Sequence, residues 1–346
     1  MRTLIGFTLA LLLLTAGCGP APASPAPTAK FLPTPTGTAT PTPIPSATST
    51  STSTPEPAWY RPLDSSYRDL KYKYALVINP KAKEYPSLHD VQTKSFNYAY
   101  FPSSPAYVAY TVTVTQDGRT FYELISGNWV AGEDVQPAAP SAFSGILLTR
   151  EIGFRFGWVL EATQSVNTAG APVRAFSRYQ VVHEEPAPGP KPGYLAIGAD
   201  EWLPESSLAL VDPRVPPDAD PNYCRFVYAN IVEQTLEVYE NCKLVFATLI
   251  SSGQDPRWTF PGWFAILYKV DFTTLLPLAG STSTYYLEGV PYFMTYAGNW
   301  GFHGAYWHDS FGSPASHGCI NLSPADASWL YTWARIGDRV VISTGK

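Results

Sequence analysis

The chain has 346 residues, a formal net charge of -5 at pH 7, and is 45% hydrophobic and 14% aromatic. The balance is mildly acidic and no cluster of Lys or Arg breaks it, so nucleic-acid binding has no support. It carries four cysteines, Cys18, Cys224, Cys242 and Cys319, few enough that each can be assigned a separate reason.

The N-terminus reads as an address. Arg2 is followed by an apolar run from Leu4 to Leu14 and then by Thr15-Ala16-Gly17-Cys18. A basic start, a short apolar core and small residues at its end describe an export signal over residues 1-17, not a spanning helix. Cys18 after Ala-Gly resembles the bacterial lipoprotein box, in which the cysteine is diacylated and becomes the first mature residue. That box prefers Leu where Thr15 stands, and ordinary cleavage near Ala16, giving a freely secreted protein, is the competing reading. Acylation at Cys18 would anchor the protein to the outer side of the membrane, each buried methylene contributing about 0.8 kcal/mol. Residues 18-58 are almost entirely Pro, Thr, Ser and Ala. Such a segment has too little apolar side chain to offset its ordering entropy, and its prolines favour an extended tether of about 3.1 Å per residue.

From Trp59 onward about 290 residues remain, which predicts two or three domains. They are rich in Tyr, Trp, Val and Thr, punctuated by Gly, Pro, Asn and Asp, so the predicted fold is mainly β. An internal repeat divides the first half. Phe121 to Ile125, Trp129-Val130 and Val135 are echoed by Gly193 to Ile197, Trp202-Leu203 and Leu208. The succession of aromatic strand, turn and Trp-apolar pair resembles the last strands of bacterial SH3-like domains. It predicts two small SH3-like β-barrels over residues 59-138 and 139-213, as wall-binding modules or as spacers whose tryptophans are core.

The last domain is predicted over residues 222-343. Phe226 to Ile231 and Leu236 to Glu240 flank Glu233-Gln234 as a hairpin, and Lys243 to Ile250 is a third strand closed by Ser251-Ser252-Gly253. Residues 324 to 333, with apolar positions continuing to Ala334, read as a short amphipathic helix, with Ser323 its N-cap and Pro324 its first residue. Gly337-Asp338-Arg339 turns into a final strand.

The densest chemistry lies just before that helix. His303-Gly304 is followed, after an aromatic-rich loop, by Ser316-His317-Gly318-Cys319-Ile320-Asn321. A thiol, two imidazoles and backbone N–H groups beside a glycine are the parts of acyl transfer through a covalent cysteine intermediate. A zinc site built from His303, His308, His317 and Cys319 would lack any C-x-x-C or H-E-x-x-H spacing. A papain-like or NlpC-like peptidase would place its cysteine before its histidine, whereas here the histidine comes first.

This motif resembles the signature of the L,D-transpeptidase family, the YkuD-like catalytic domain. The opening Gln-x-Leu-x-Val-Tyr and closing Ser-Gly resemble the start of such domains, and Trp258-Thr259-Phe260-Pro261-Gly262 stands where they carry a Thr-Pro-x-Gly loop, here split by Phe260. The resemblance implies that Cys319 is the nucleophile and His303 its proton acceptor and donor, the imidazole held by the Gly304 carbonyl. It further implies that His317, Gly318 and Cys319 offer backbone N–H groups to the oxyanion, with Gly318 letting the backbone approach. The family carries Asn-Gly where Asn241-Cys242 stands. A hairpin turning at Glu233-Gln234 sets residues whose numbers sum to about 467 opposite one another, which brings Cys224 within a step of Cys242 and predicts a disulfide there.

Tyr292 and Asn299 are candidate substrate contacts in the aromatic region before His303. Asn321 can either hydrogen-bond a donor-peptide carbonyl or hold the motif loop in shape. The implied reaction is attack of Cys319 on a peptidoglycan stem tetrapeptide, release of terminal D-alanine, and resolution by an amine of a neighbouring stem, with no metal or cofactor. Carbapenem β-lactams are the implied covalent inhibitors. The alternatives are an L,D-carboxypeptidase, in which water resolves the intermediate, and a wall-binding lipoprotein with an inactive cysteine domain.

Overall fold

The structure is a computed structural model that describes residues 59–187, 191–220, 222–255, 259–277 and 283–345. The expected signal peptide, Cys18, the tether and Trp258 lie outside these residues. Strands dominate the described residues, as the composition predicts.

The centre of the predicted last domain is a seven-stranded sheet. Arg225–Asn230, Thr235–Glu240 and Lys243–Leu249 form an antiparallel meander, and Arg339–Ser343 adds in parallel beside Arg225–Asn230. Alternate residues on these strands enter two different cores. Val227, Ala229, Leu236, Val238 and Ile342 pack toward the Pro324–Trp333 helix, where Phe246 stacks on Trp329 at 4.2 Å. Phe226, Tyr228, Tyr239 and Leu249 point the other way, against Phe156, Trp158 and Val211 of the second N-terminal range. Burial of both faces explains why these strands read as near-continuous apolar runs instead of alternating ones.

The hairpin register differs from expectation by two residues. Arg225 pairs with Glu240 and Asn230 with Thr235. The loop is longer than Glu233-Gln234 because the Asn230 side chain accepts from the Val232 and Glu233 N–H groups, both at 3.0 Å. The disulfide between Cys224 and Cys242 is nevertheless present, beside a 2.9 Å bond from the Cys242 N–H to the Cys224 carbonyl. Cys242 sits at φ 60 and Asn241 at φ 53, left-handed positions of a two-residue turn where glycine is favoured.

The helix begins where predicted: the Ser323 hydroxyl accepts from the Asp326 N–H at 3.1 Å, with Pro324 as first residue. It is not amphipathic. Pro324 through Leu330 are all buried, including Asp326, whose carboxylate accepts from the Gly145 N–H at 2.7 Å and the Thr248 hydroxyl at 2.6 Å.

The two copies of the internal repeat share a strand order. In the first, Arg119–Leu124 and Trp129–Ala131 form a hairpin. A 3-10 turn follows, and Val135–Ala138 returns to pair with Lys73–Val77. In the second, Tyr194–Gly198 and Glu201–Pro204, a 3-10 turn and Leu208–Val211 repeat this, with Phe156–Val159 as the partner. Neither range is sealed off from the last domain. Tyr60–Pro62 and Ile146–Leu148 extend the seven-stranded sheet. Ala106–Gln116 of the first copy pairs in parallel with Tyr286–Ala297 and so joins the sheet that carries His303.

Candidate active site

His303 lies on the Trp300–Gly304 strand and Cys319 immediately precedes the Ile320–Leu322 strand. The two strands are parallel neighbours with His303 opposite Asn321. Alternate residues share a face, so Cys319, Asn321 and His303 turn to the same side of the sheet. All three line one cavity of about 540 Å³, together with Asn299, His317 and Ser316.

His303 is 1% exposed, its ring between Phe293 at 5.8 Å and Trp307 at 5.7 Å. Burial between these aromatics pushes the imidazole down to about 4, against an opposing effect of the Gly304 carbonyl. Nδ1 lies 3.5 Å from that carbonyl, at the outer limit of a hydrogen bond. The contact favours the proton on Nδ1 and leaves Nε2 with the lone pair a base needs. Gly304 is required by packing: a Cβ there would stand 2.9 Å from Pro291 and 3.1 Å from the Pro324 backbone.

Cys319 is half-buried and a free thiol. Its sulfur donates to the Asn299 carbonyl at 3.7 Å. Burial pushes the thiol up to about 11, partly offset by the Gly301 N–H. Both shifts favour the uncharged forms of the thiol and the imidazole.

The motif loop is clamped by residues that precede it in sequence. Ser251 exchanges backbone bonds with Asn321, both 2.9 Å, and the Ser252 carbonyl accepts from Ala315 and Ser316, both 3.0 Å. Thr259, 2% exposed, accepts from the Gly253 N–H at 2.8 Å and donates to the Gly318 carbonyl at 2.9 Å. The buried Gln234 bonds the Ser252 hydroxyl at 2.7 Å and its N–H at 2.9 Å, tying the hairpin turn to the clamp. Within the loop, the Ser316 hydroxyl donates to the Cys319 carbonyl and accepts from the Gly318 N–H at 3.0 Å. The Gly318 N–H is thus engaged in the loop itself. The Cys319 N–H makes no bond with the described residues, which leaves it available to an oxyanion. Gly318 holds φ 121, a conformation that L side chains rarely adopt.

Of the other expected contacts, Asn299 lines the cavity and also receives the thiol. Tyr292 stands apart: its ring packs against Tyr331 at 5.6 Å, and Phe293 is the aromatic of that strand that reaches the cavity. His317 is exposed at the cavity rim, 4.8 Å from Tyr285. Pro105 and Tyr107 of the first repeat also line the cavity, a long-range contribution with no local mark in the sequence. Among the described residues no group of three or more His, Cys, Asp or Glu is placed to hold a metal ion.

Residues 225–342 match the YkuD family, described as the L,D-transpeptidase catalytic domain. No curated protein matches the chain. Solved structures similar to it include a mutant L,D-transpeptidase of Enterococcus faecium, 24% identical, covering 35% of this chain and 50% of that one, with a TM-score of 0.33. The Ldtfm–avibactam carbamoyl enzyme is 25% identical over 36% of this chain and 50% of that one, TM-score 0.33. Mycobacterium tuberculosis L,D-transpeptidase 1 is 24% identical over 35% of this chain and 61% of that one, TM-score 0.30. The chain thus spans half the length of the first two structures. The family match over residues 225–342 takes in both His303 and Cys319.

Proposed function

We propose that the protein is an exported peptidoglycan L,D-transpeptidase that works through an acyl-enzyme on Cys319. One observation carries the reading: Cys319 and His303 sit on the same side of adjacent parallel strands and open on one cavity. His303 Nε2 takes the thiol proton as sulfur attacks the carbonyl of the diamino acid at position three of a stem tetrapeptide. The developing oxyanion meets the Cys319 N–H. The tetrahedral intermediate collapses with the proton passing from His303 to the departing amine of D-alanine, leaving a thioester. An amine of a neighbouring stem attacks that thioester, loses its proton to the imidazole, and frees the sulfur. General base catalysis of this kind contributes roughly 10²–10⁴-fold.

The buried, neutral imidazole suits this proton transfer, because it accepts a proton only as charge develops on sulfur. Carbapenems would acylate the same sulfur. Lipidation at Cys18 and the tether over 18-58 would hold the enzyme at the outer side of the membrane within reach of the wall. The two repeats we assign as SH3-like modules. Incubation with defined muropeptides and mass analysis of the products tests the reading. Cross-linked dimers with release of D-alanine are expected; tripeptides alone would reassign it as a carboxypeptidase, and unchanged substrate would refute it.

A further inference from the structure

Asn321 lines the cavity and is 2% exposed, yet its Oδ1 is buried without a hydrogen-bond partner. The other end of the same amide faces His308, with Nδ2 and Nε2 2.9 Å apart. What His308 presents there is set on its opposite side. Its Nδ1 accepts from the Ser310 N–H at 3.1 Å, so that nitrogen holds no proton. The ring is also shielded, and burial pushes it down to about 4, keeping it neutral at pH 7. A neutral imidazole with a bare Nδ1 carries its proton on Nε2. That N–H requires an acceptor, and Nδ2 of an amide is not one. Oxygen and nitrogen of an amide exchange by a half-turn about the terminal bond and are assigned from their partners. With the half-turn made, Oδ1 accepts from His308 and no longer lacks a partner. The NH2 group takes the unpartnered position, as a buried donor in the wall of the substrate cavity.

His308 is itself held firmly. Its ring packs on Phe311 at 5.1 Å, and the Ser310 carbonyl accepts from the Ser251 hydroxyl at 2.9 Å. The next residue, Asp309, is gripped from the second repeat. Its carbonyl accepts from Arg178 at 2.7 Å and from Tyr179 at 2.9 Å, and its carboxylate pairs with Arg178 at 3.3 Å.

We propose that His308 is a positioning residue that locks the Asn321 amide with its N–H donor facing the cleft, where it bonds a carbonyl of the acyl-donor peptide. The inference rests on the acyl-transfer reading and adds to it the orientation of one substrate-binding group. An unpaired buried donor is costly, so a ligand carbonyl at this point gains what the empty site lacks.

The test uses the full chain. Nitrogen NMR of the wild-type imidazoles should find His308 protonated at Nε2; protonation at Nδ1 overturns the proposal whatever the activity. Steady-state acylation by a tetrapeptide donor is then compared for His308→Ala, Asn321→Ala and the double variant. Each single change should lower kcat/KM by about tenfold, mainly through KM, the worth of one neutral hydrogen bond. The double variant should be no worse than either single one, because both remove the same bond. Additive losses, or an unchanged His308→Ala, overturn it. His308→Gln, which retains a donor at the same reach, should recover part of the loss, and a failure to do so counts against the proposal. Alkylation of Cys319 by iodoacetamide should stay at the wild-type rate in His308→Ala and His308→Gln; a fall in both would place the loss in a displaced loop and overturn the proposal. If the wild-type protein takes no acyl group while His308 carries its proton on Nε2, the acyl-transfer reading fails and the ligand with it.

Discussion

Burial at this site favours an uncharged thiol and an uncharged imidazole over a stored thiolate. The two groups are pushed in opposite directions by the same cause, burial: His303 down to about 4 and Cys319 up to about 11. Because the thiolate is the reactive form, alkylation by iodoacetamide should rise about tenfold per pH unit between about pH 6 and pH 9, with no plateau. A plateau starting below neutral pH would show a preformed thiolate–imidazolium pair and contradict these shifts. At this scale the motif is written in two short runs, His303-Gly304 and Ser316 to Asn321, and the fold brings His303 and Cys319 to one cavity. Thr259 and Gln234 were not assigned roles, since their contribution is a hydrogen bond to a backbone far away in sequence. The engagement of the Gly318 N–H by Ser316 also has no sequence signal, because it depends on a rotamer.

Among the elements, the Cys224–Cys242 bridge and the turn it ends in form one device. The bond spans a sequence separation of 18 and closes a ring around the whole first hairpin. Chain-entropy arguments give about 3 kcal/mol for a ring of this size. Replacing both cysteines by serine should therefore shift the urea midpoint downward by the equivalent of about that amount. Serine also leaves a side chain at φ 60. Cys224→Ser with Cys242→Gly should be more stable than the double serine variant by about 1 kcal/mol, since glycine meets no Cβ penalty there. Equal midpoints for the two variants would mean that the left-handed turn costs nothing. The helix after the motif was readable from Ser323 and Pro324, a local signal. The hairpin register was misread by two residues because a side-chain turn at Asn230 lengthens the loop, and nothing in the hydrophobic pattern announces it.

Across the whole molecule, the N-terminal ranges are built into the catalytic sheets. The first repeat pairs Tyr286–Ala297 in parallel, stacks Tyr74 on Tyr306 at 3.6 Å, and gives the Ala109 N–H to the buried Glu288 at 3.0 Å. Its Tyr107 hydroxyl donates to the Trp307 carbonyl at 3.3 Å while its ring walls the cleft. Tyr107→Ala should raise KM for the peptide donor about tenfold, as expected for loss of one packed contact and one hydrogen bond. Tyr107→Phe should keep most of the affinity, and neither should slow iodoacetamide. A wild-type KM for Tyr107→Ala would make the first repeat a bystander to catalysis. The repeat itself was visible as a recurring Trp pattern, but its docking was not. Strand pairing across some 180 residues, as between Ala106 and Tyr286, leaves no trace in local periodicity.

The central claim, that Cys319 carries the acyl group, is tested most directly by intact-mass analysis of the protein after brief incubation with a stem tetrapeptide. The wild-type chain should gain the mass of the donor less D-alanine, with the adduct mapped to Cys319, and Cys319→Ala should gain nothing. His303→Ala should form the adduct roughly 10²–10⁴-fold more slowly. An adduct that persists in Cys319→Ala, or D-alanine released by that variant at the wild-type rate, would contradict the account.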